Sequence, residues 1–518
     1  MRALMRVTAL VTSIALIGCG SAEAFDEPGS VIDPGPAPSE PEPTCINVDP
    51  SGAGPNSACG VFVSSTLGSD DNPGTLAKPV RTIARALALA LDGARRVYAC
   101  AELFHEPAEI PAGVELWGGL DCADGWRYVG TTKKTTIAPG EPGGIALRFL
   151  PGDGLARVID VRAEAVDGIE PSQSLIAALV LPGASVEIVG SELVAGHGAP
   201  GADGEQGGGP GAPPEAQAGA DGINGSDVCG SSVNQGGASV VTVCDGIVST
   251  SGKGGNGRET YGEDAGDGEP WPYPNEMGFG KGGYGQNSGW TQCMSGQVGL
   301  AGQDGEHGLG GVGLGLLTLD GWEGHKGQDG GKGLPGQGGG GGGGVRGPLY
   351  NECGAGQPKG GASGGSGGAG GCGGEGGKGG GYGGSSIGLI SLSDAVTVRS
   401  TTITTDNGGN GGRGGIWQGG GAGGRPGAGG WGGIGTSIGG CRGADGGKGG
   451  NGGHGGGGLG GMTLGIAHAH EKPPTLDEVT THTGKAGKGG LGGSPFVTIP
   501  GTTGEDGLAA ATQGFPAP

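Results

Sequence analysis

The chain has 518 residues, of which 138 are glycine and only 4% aromatic. Apolar burial, at about 25 cal/mol per Å², drives a conventional core, and the residues able to supply it are confined to a few segments; one globular core spanning the chain is excluded. Lys and Arg number 29 against 51 Asp and Glu, a formal net charge of −22, and no basic cluster able to displace counterions from phosphate occurs, which excludes a nucleic-acid partner.

The opening MRALMRVTALVTSIALIGCG carries Arg2 and Arg6, an apolar run from Val7 to Ile17, then small residues. A bilayer span needs about 20 apolar residues, so the run predicts a secretory signal over 1–18 and not a membrane helix. Leu16-Ile17-Gly18-Cys19 resembles the bacterial lipobox. That resemblance implies cleavage before Cys19 and acylation of this cysteine, several acyl chains giving a stable anchor where one is marginal. Gly20, in place of an inner-membrane retention Asp, points to the outer membrane or cell surface. The alternative is an ordinary signal cut near Ala22 or Ala24. Residues 19–55, rich in Pro, Glu and Asp, predict a semi-extended tether.

With Cys19 assigned to lipid, ten cysteines remain: Cys45, Cys59, Cys100, Cys122, Cys229, Cys244, Cys293, Cys353, Cys372 and Cys441. An even number in an exported chain predicts disulfides, and no paired zinc-ligand spacing is present. Spacing does not fix the pairing. Neighbours in order, Cys45–Cys59, Cys100–Cys122 and Cys229–Cys244, are the simplest expectation.

From 56 to 195 the chain changes character. Val61 to Ser64 predicts a strand, and Asp70-Asp71-Asn72-Pro73-Gly74 a turn. Ile83, Ala86, Leu87, Ala90 and Leu91 form one buried helical stripe, with Arg81 and Arg85 off it. Short apolar runs follow (RRVYACAELF, GVELWGGLDC, KTTIAP, GIALRFL, ARVIDVRAEAV, LIAALVLPG, ASVEIVGSELV), of strand length and many alternating in polarity. With no helices between them, they predict an all-β sandwich, barrel or stacked solenoid.

VSSTLGSDDNPGTLAKPVRTIARAL, residues 63–87, resembles the opening of right-handed parallel β-helix proteins of the pectate-lyase-like type. Trp117-Gly118-Gly119-Leu120-Asp121, followed by Trp126, is similar to a GG-aromatic-D…W turn of bacterial surface proteins of that kind, with Leu120 in the aromatic position. The resemblance implies an all-β, right-handed parallel β-helix whose N-terminal end the helix caps. The chain as a whole resembles the glycine-rich, PGRS-like lipoproteins of myxobacteria.

Residues 196–518 alternate between glycine blocks and returning apolar pieces. Shifted by 210 residues, LVLPGASVEIVGSELVAGHG (179–198) lies over LISLSDAVTVRSTTITTDNG (389–408). Leu179 then matches Leu389, Val186 matches Val396, Ile188 matches Val398 and Leu193 matches Ile403. Further rungs are expected near 313–320, 386–406 and 460–470, separated by glycine-rich excursions. For the excursions, collagen needs Gly at every third position over a long run, and GAPGADGEQGGG, from Gly198, fails at Pro210. Disorder is one remaining reading, because ordering glycine costs more backbone entropy than ordering any other residue. The other is a bundle of threefold polyglycine-II helices, in which GGSGGAGGCGGEGGKGGG (364–381) places Ser366, Ala369, Cys372, Glu375 and Lys378 on one edge and pairs bare backbone elsewhere. A polar edge of that kind suits an outer strand.

Catalytic signals are weak. A pectate-lyase-like lyase or hydrolase needs clustered carboxylates on one sheet face, and Asp160, Glu164 and Asp167 read as surface residues between rungs. Asp70, Asp71 and Asn72 are candidate Ca²⁺ ligands in a turn that favours those residues anyway. His468 and His470 in GIAHAHEK alternate along a strand beside Glu471 and are candidate metal ligands. Thr402-Ile403-Thr404 is one copy of the ladder that ice binding needs. The expectation is a lipid-anchored, non-catalytic structural or adhesive protein of the cell surface, with no cofactor unless Ca²⁺. Its partners would be membrane through the anchor and extracellular glycans or matrix. The alternatives are a polysaccharide lyase or hydrolase and an ice-binding protein.

Overall fold

The computed structural model describes residue 55 and residues 57–516, apart from 131, 271–277, 288–291, 350–351 and 435–437. The signal, the tether up to residue 54, Cys19 and Cys45 lie outside the described residues.

The fold is all-β, and three parallel sheets hold most of its strands. Sheet one contains Val61–Val63, Arg96–Cys100, Glu115–Asp121, Leu155–Ile159, Ser185–Val189, Val396–Arg399 and Thr475–Asp477, with Arg127–Tyr128 antiparallel to its third strand. Sheet two contains Leu103–Phe104, Thr135–Ile137, Val161–Ala165, Glu192–Ala195, Thr402–Thr405 and Thr480–His482. Sheet three contains Ala108–Ile110, Leu147–Phe149, Leu175–Val180, Ser386–Ser391, Thr463–His468 and Ala509–Gly514. From Arg96 onward the parallel strands visit sheets one, two and three in rotation, so each sheet is ordered as the sequence is. Alternation along each strand sends one set of side chains inward. Val97, Leu116, Val158, Val186 and Val398 from sheet one meet Ile137, Ala163, Leu193 and Ile403 from sheet two and Leu147, Val180, Leu389 and Ile466 from sheet three in one core.

The central strands of sheet three, Leu175–Val180, Ser386–Ser391 and Thr463–His468, are buried on both faces. Ile176, Leu179, Ile387, Ile390 and Leu464 point away from the shared core into a second one, closed by Leu317, Trp322, Leu459 and Met462. This explains why LIAALV reads as a continuous apolar run while VRAEA and SVEIV alternate. Val186, Ile188 and Leu193 pair with Val396, Val398 and Ile403. In sheet three the offset is 211, so Leu179 faces Ile390 and Ala178 faces Leu389. The turn before sheet one is one residue shorter in the later copy. Gly183, at φ +80°, makes the first version. In the second, Ser393 Oγ donates to Ala184 O (2.6 Å) and Ser391 Oγ to Ser393 O (2.7 Å).

The one helix among the described residues, Ile83–Leu91, buries Ile83, Ala86, Leu87 and Ala90 against the first strands, while Leu91 is exposed, contrary to the expected stripe. Its first turn has no acidic residue of its own. Thr82 caps it by accepting the Arg85 N–H (3.1 Å), and Glu106, from outside the helix, accepts the Ile83 N–H (2.7 Å).

Trp117-Gly118-Gly119-Leu120, expected as a turn, is instead a close-packed bulge within the strand Glu115–Asp121. A Cβ on Gly118 would lie 2.5 Å from Asp160 O, and Gly119 sits at φ +69°, so neither position admits a side chain. Leu120 fills a pocket with Phe62, Tyr98 and Trp126, where Trp126 meets Phe62 edge to face at 4.7 Å. The Cys100–Cys122 disulfide closes it. Asp160, expected at the surface, is buried here: the Tyr128 hydroxyl donates to its carboxylate, and Lys134 Nζ lies 3.1 Å away.

All three glycine-rich excursions leave from the end of a sheet-two strand and re-enter at sheet three: residues 196–385, 406–462 and 483–508. They therefore grow from one corner of the spine. Their hydrogen bonds repeat every third residue. In 364–372, Gly364 and Gly367 donate to Gly255 and Gly252, Gly365, Gly368 and Gly371 to Cys441, Ala444 and Gly447, and Ser366, Ala369 and Cys372 to Ile223, Ala220 and Gln217. Successive N–H groups thus point to three different neighbours. The carbonyls accept from three further segments: Gly339 and Gly342, Gly421, Gly424 and Gly427, and Gly237. This stretch is the centre of the bundle, not an outer strand, and Ser366 and Ala369 are wholly buried.

Two further expectations change. Residues 313–320 do not form a rung: Leu316–Thr318 pairs antiparallel with Gly321–Glu323 as a hairpin, and Leu317 and Trp322 cover sheet three. Cys229 bonds Cys353 and Cys244 bonds Cys372, not each other, and Cys293 bonds Cys441. The bundle brings segments more than a hundred residues apart side by side, and the cysteines tie those neighbours. Cys59 is also disulfide-bonded.

Candidate binding surfaces

The acidic turn is occupied by structure. Asp70 Oδ1 accepts the Arg81 and Thr82 N–H groups (2.9 and 3.0 Å) and Oδ2 the Thr82 hydroxyl (3.0 Å), while Asn72 Nδ2 donates to Pro79 O (2.8 Å). Burial works against ionisation of Asp70, but these hydrogen bonds and nearby Arg85 outweigh it and hold the carboxyl below its ordinary value. Asp71 is exposed. Asp70 and Asn72 anchor the strand-to-helix connection.

The histidine pair is also placed differently from expectation. The strand ends at His468, and the chain bends before His470. His468 Nδ1 contacts His470 O (2.7 Å) and His470 Nε2 contacts Leu392 O (3.0 Å), so each ring is tied to a carbonyl. Among the described residues, no group of three or more His, Cys, Asp or Glu side chains is arranged to hold a metal ion. Glu164 accepts from Arg162 Nε (3.0 Å) and Asp167 from the His197 N–H (2.8 Å), so they do not pair with Asp160. Thr402 lies beside Thr480 in the next strand, but His482 stands opposite Thr404 and ends the threonine rank.

Two outer faces carry chemistry. On sheet one, Arg96, Glu115, Arg157, Glu187 and Arg399 alternate in sign across five strands, with the Arg157–Glu187 pair at 2.6 Å. On sheet two, a groove of about 520 Å³ is lined by Glu102, Lys133, Lys134, Thr136, Arg162 and Glu192. Most of these side chains are committed. Glu102 accepts from Ser64, Ser65 and Thr66, Arg162 NH1 donates to Glu192 (2.8 Å), and Lys134 Nζ is held by Gly130 O, Asp160 and Gly190 O. Lys133 remains as the cation facing the groove.

The third surface is the rim of the glycine bundle. There an X residue has no carbonyl beyond it to receive its N–H, and the sequence supplies an Asp or Asn on the adjacent segment. The N–H groups of Arg413, Arg425, Ala428 and Trp431 donate to Asp203, Asp221, Asn224 and Asp227 at 2.6–2.8 Å. Asn451 donates to Asp304 (2.6 Å), and Lys485 and Lys488 to Asn407 and Asn410 (2.9 and 2.8 Å). Part of the thinly spread acidity, Asp203, Asp221, Asp227 and Asp304, thus completes the backbone pairing of the rim. The signal was readable: Asp221, Asn224 and Asp227 recur every third residue.

No family model matches the chain, and no curated protein or solved structure matches it.

Proposed function

We propose that this chain is a lipid-anchored, non-catalytic cell-surface protein with a structural or adhesive role. In this reading the rotation through three sheets is that of a right-handed parallel β-helix, and the excursions are polyglycine-II helices packed as a slab on one of its corners. One observation carries the reading: every excursion departs from the same corner, and its glycine-rich runs are hydrogen-bonded to their neighbours with a three-residue repeat. With about 3.1 Å per residue in such a helix, rim side chains recur about every 9 Å on a support that costs little further entropy to order. A regular, preorganised display suits multivalent contact with matrix or neighbouring cells. Its settled carboxylates suit this role better than hydrolysis, which needs a pair left free for acid and base work.

Cys19 would hold the chain to the outer membrane or cell surface. Cys19→Ala is expected to move the protein from the membrane to the soluble fraction and to abolish cell–matrix adhesion that depends on it. Membrane retention of the variant overturns the anchor. Release of unsaturated oligosaccharides from a polyuronide by the purified protein overturns the non-catalytic role.

A further inference from the structure

The three-residue pattern breaks at two places that the fold brings together. Along one rim segment the repeat fails at Gly208-Gly209-Pro210-Gly211, where all three glycines adopt φ between +77° and +86°. On the adjacent segment the pattern is interrupted by Ile416-Trp417-Gln418. The Gly207 N–H donates to Ile416 O, and the ladder resumes only with the Ala216 N–H to Gly419 O, so nine residues advance on one segment against three on the other. The break is stitched: Gln418 Nε2 donates to Pro213 O (2.9 Å), its Oε1 accepts the Glu375 N–H (3.2 Å), and the Gly419 N–H donates to Pro214 O (2.8 Å).

The displaced chain opens a cleft of about 370 Å³, within the size range of small-ligand sites. Trp417 and Ile416 give it an apolar wall, and Gln206, Glu215, Lys448 and Asn451 stand around it. Several rim side chains are spent on backbone or on one another, as are Asp203, Asp227 and the Lys488–Asp506 pair. Here, among the described residues, the Gln206 amide, the Glu215 carboxylate and the Lys448 ammonium have no protein partner, and Asn451 uses only Oδ1, which accepts the Gly420 N–H (3.2 Å). The indole is braced from a side that does not line the cleft. His454, which is buried, meets it edge to face at 5.8 Å and itself stacks on His307 at 5.3 Å.

We propose that this cleft binds a pyranose ring of an extracellular polysaccharide, the C–H face of the sugar lying on Trp417 and its hydroxyls taking Glu215, Gln206, Asn451 and Lys448. A rigid aromatic wall with a few unpaired polar groups at its margin meets the mixed surface of a sugar, whereas a purely apolar ligand would leave those groups dry and unpaired. The assignment rests on the adhesive reading above and names the ligand class and site for it.

The test is titration of the full chain with neutral and uronic-acid hexopyranoside oligosaccharides, followed by tryptophan fluorescence and calorimetry. Saturable binding is expected, weakened at least tenfold in Trp417→Ala, severalfold in Glu215→Gln and Lys448→Ala, and kept within about threefold in Trp417→Phe. Trp431→Ala, which removes an exposed indole elsewhere on the rim, should change nothing. Absence of saturable binding by the wild-type chain overturns the proposal, as does binding that survives Trp417→Ala or is lost in Trp431→Ala. If Trp417→Ala fails to fold, the Glu215 and Lys448 variants decide. Cell adhesion that persists without sugar binding would sink the cleft and leave the adhesive reading standing.

Discussion

A Cβ on Gly368 would lie 2.0 Å from the carbonyl oxygen of Gly424, whereas the neighbouring Ala369 carries its methyl group fully buried without such a clash. Two of every three positions in the central segment must be glycine because backbone occupies the space, and the third need only be small. Gly368→Ala is therefore expected to destabilise the bundle by about 1–3 kcal/mol, the usual range for overpacking, read as faster amide exchange across 364–381. Among the titrating residues, His454 is the sharpest reporter. Burial, with the neighbouring His307 ring, holds its pKa below the ordinary 6.5. Its folded value is depressed, so the unfolded chain binds the proton more readily; the associated stability is complete above about pH 6.5 and is lost as pH falls toward the folded value. The protection factors around 452–455, taken relative to the intrinsic exchange rate at each pH, should fall on acidification from pH 7 to 5, and His454→Leu should remove that dependence. Asp506 behaves alike at lower pH: Lys488 and the Gly489 N–H hold its carboxyl below the ordinary 3.8, so its support of the rim fades only as pH drops below about 4.

At the scale of elements, the hairpin Leu316–Thr318 and Gly321–Glu323 is a lid on sheet three. Trp322 lies in the second core, donates from Nε1 to Leu314 O (2.8 Å) and meets Tyr382 edge to face. Trp322→Ala should cost about 3–5 kcal/mol, visible as a lower thermal midpoint and new binding of a hydrophobic dye. That hairpin shows where sequence reading stops. GLGLLTLDG has the apolar residues of a rung, but what separates a rung from a lid is the partner it finds, and partner choice is tertiary. The spine strands were legible because alternation and turn residues are local, and the 210-residue likeness is itself a pairing register, failing by one residue only where Ser393 does the turn-making of Gly183. Chain order was enough for Cys100–Cys122, which closes a corner of the spine, but not for the bundle's disulfides, since it says little about which glycine segments lie side by side. The Trp417 cleft was half legible: Pro210 and Ile416-Trp417-Gln418 each break a pattern, but their adjacency is a product of the fold.

Across the whole molecule, the spine relies on apolar burial and the bundle on backbone pairing and cross-links. The Cys244–Cys372 disulfide spans 128 residues, and chain-entropy reasoning assigns a loop of that length about 5 kcal/mol. Replacing both cysteines by serine, or reducing the protein, should therefore release the bundle first. Exchange should rise in 217–257 and 364–381 while 175–195 and 386–405 stay protected. A consequence for biogenesis follows from the central position of 364–372. Its partners at 217–255 and 336–342 emerge before it, and those at 421–447 emerge after it. A core thread already surrounded on all sides cannot be inserted, so the sheath must close over it from the C-terminal side, and a chain cut short before residue 409 would present a bare, unsatisfied flank to every other copy it met.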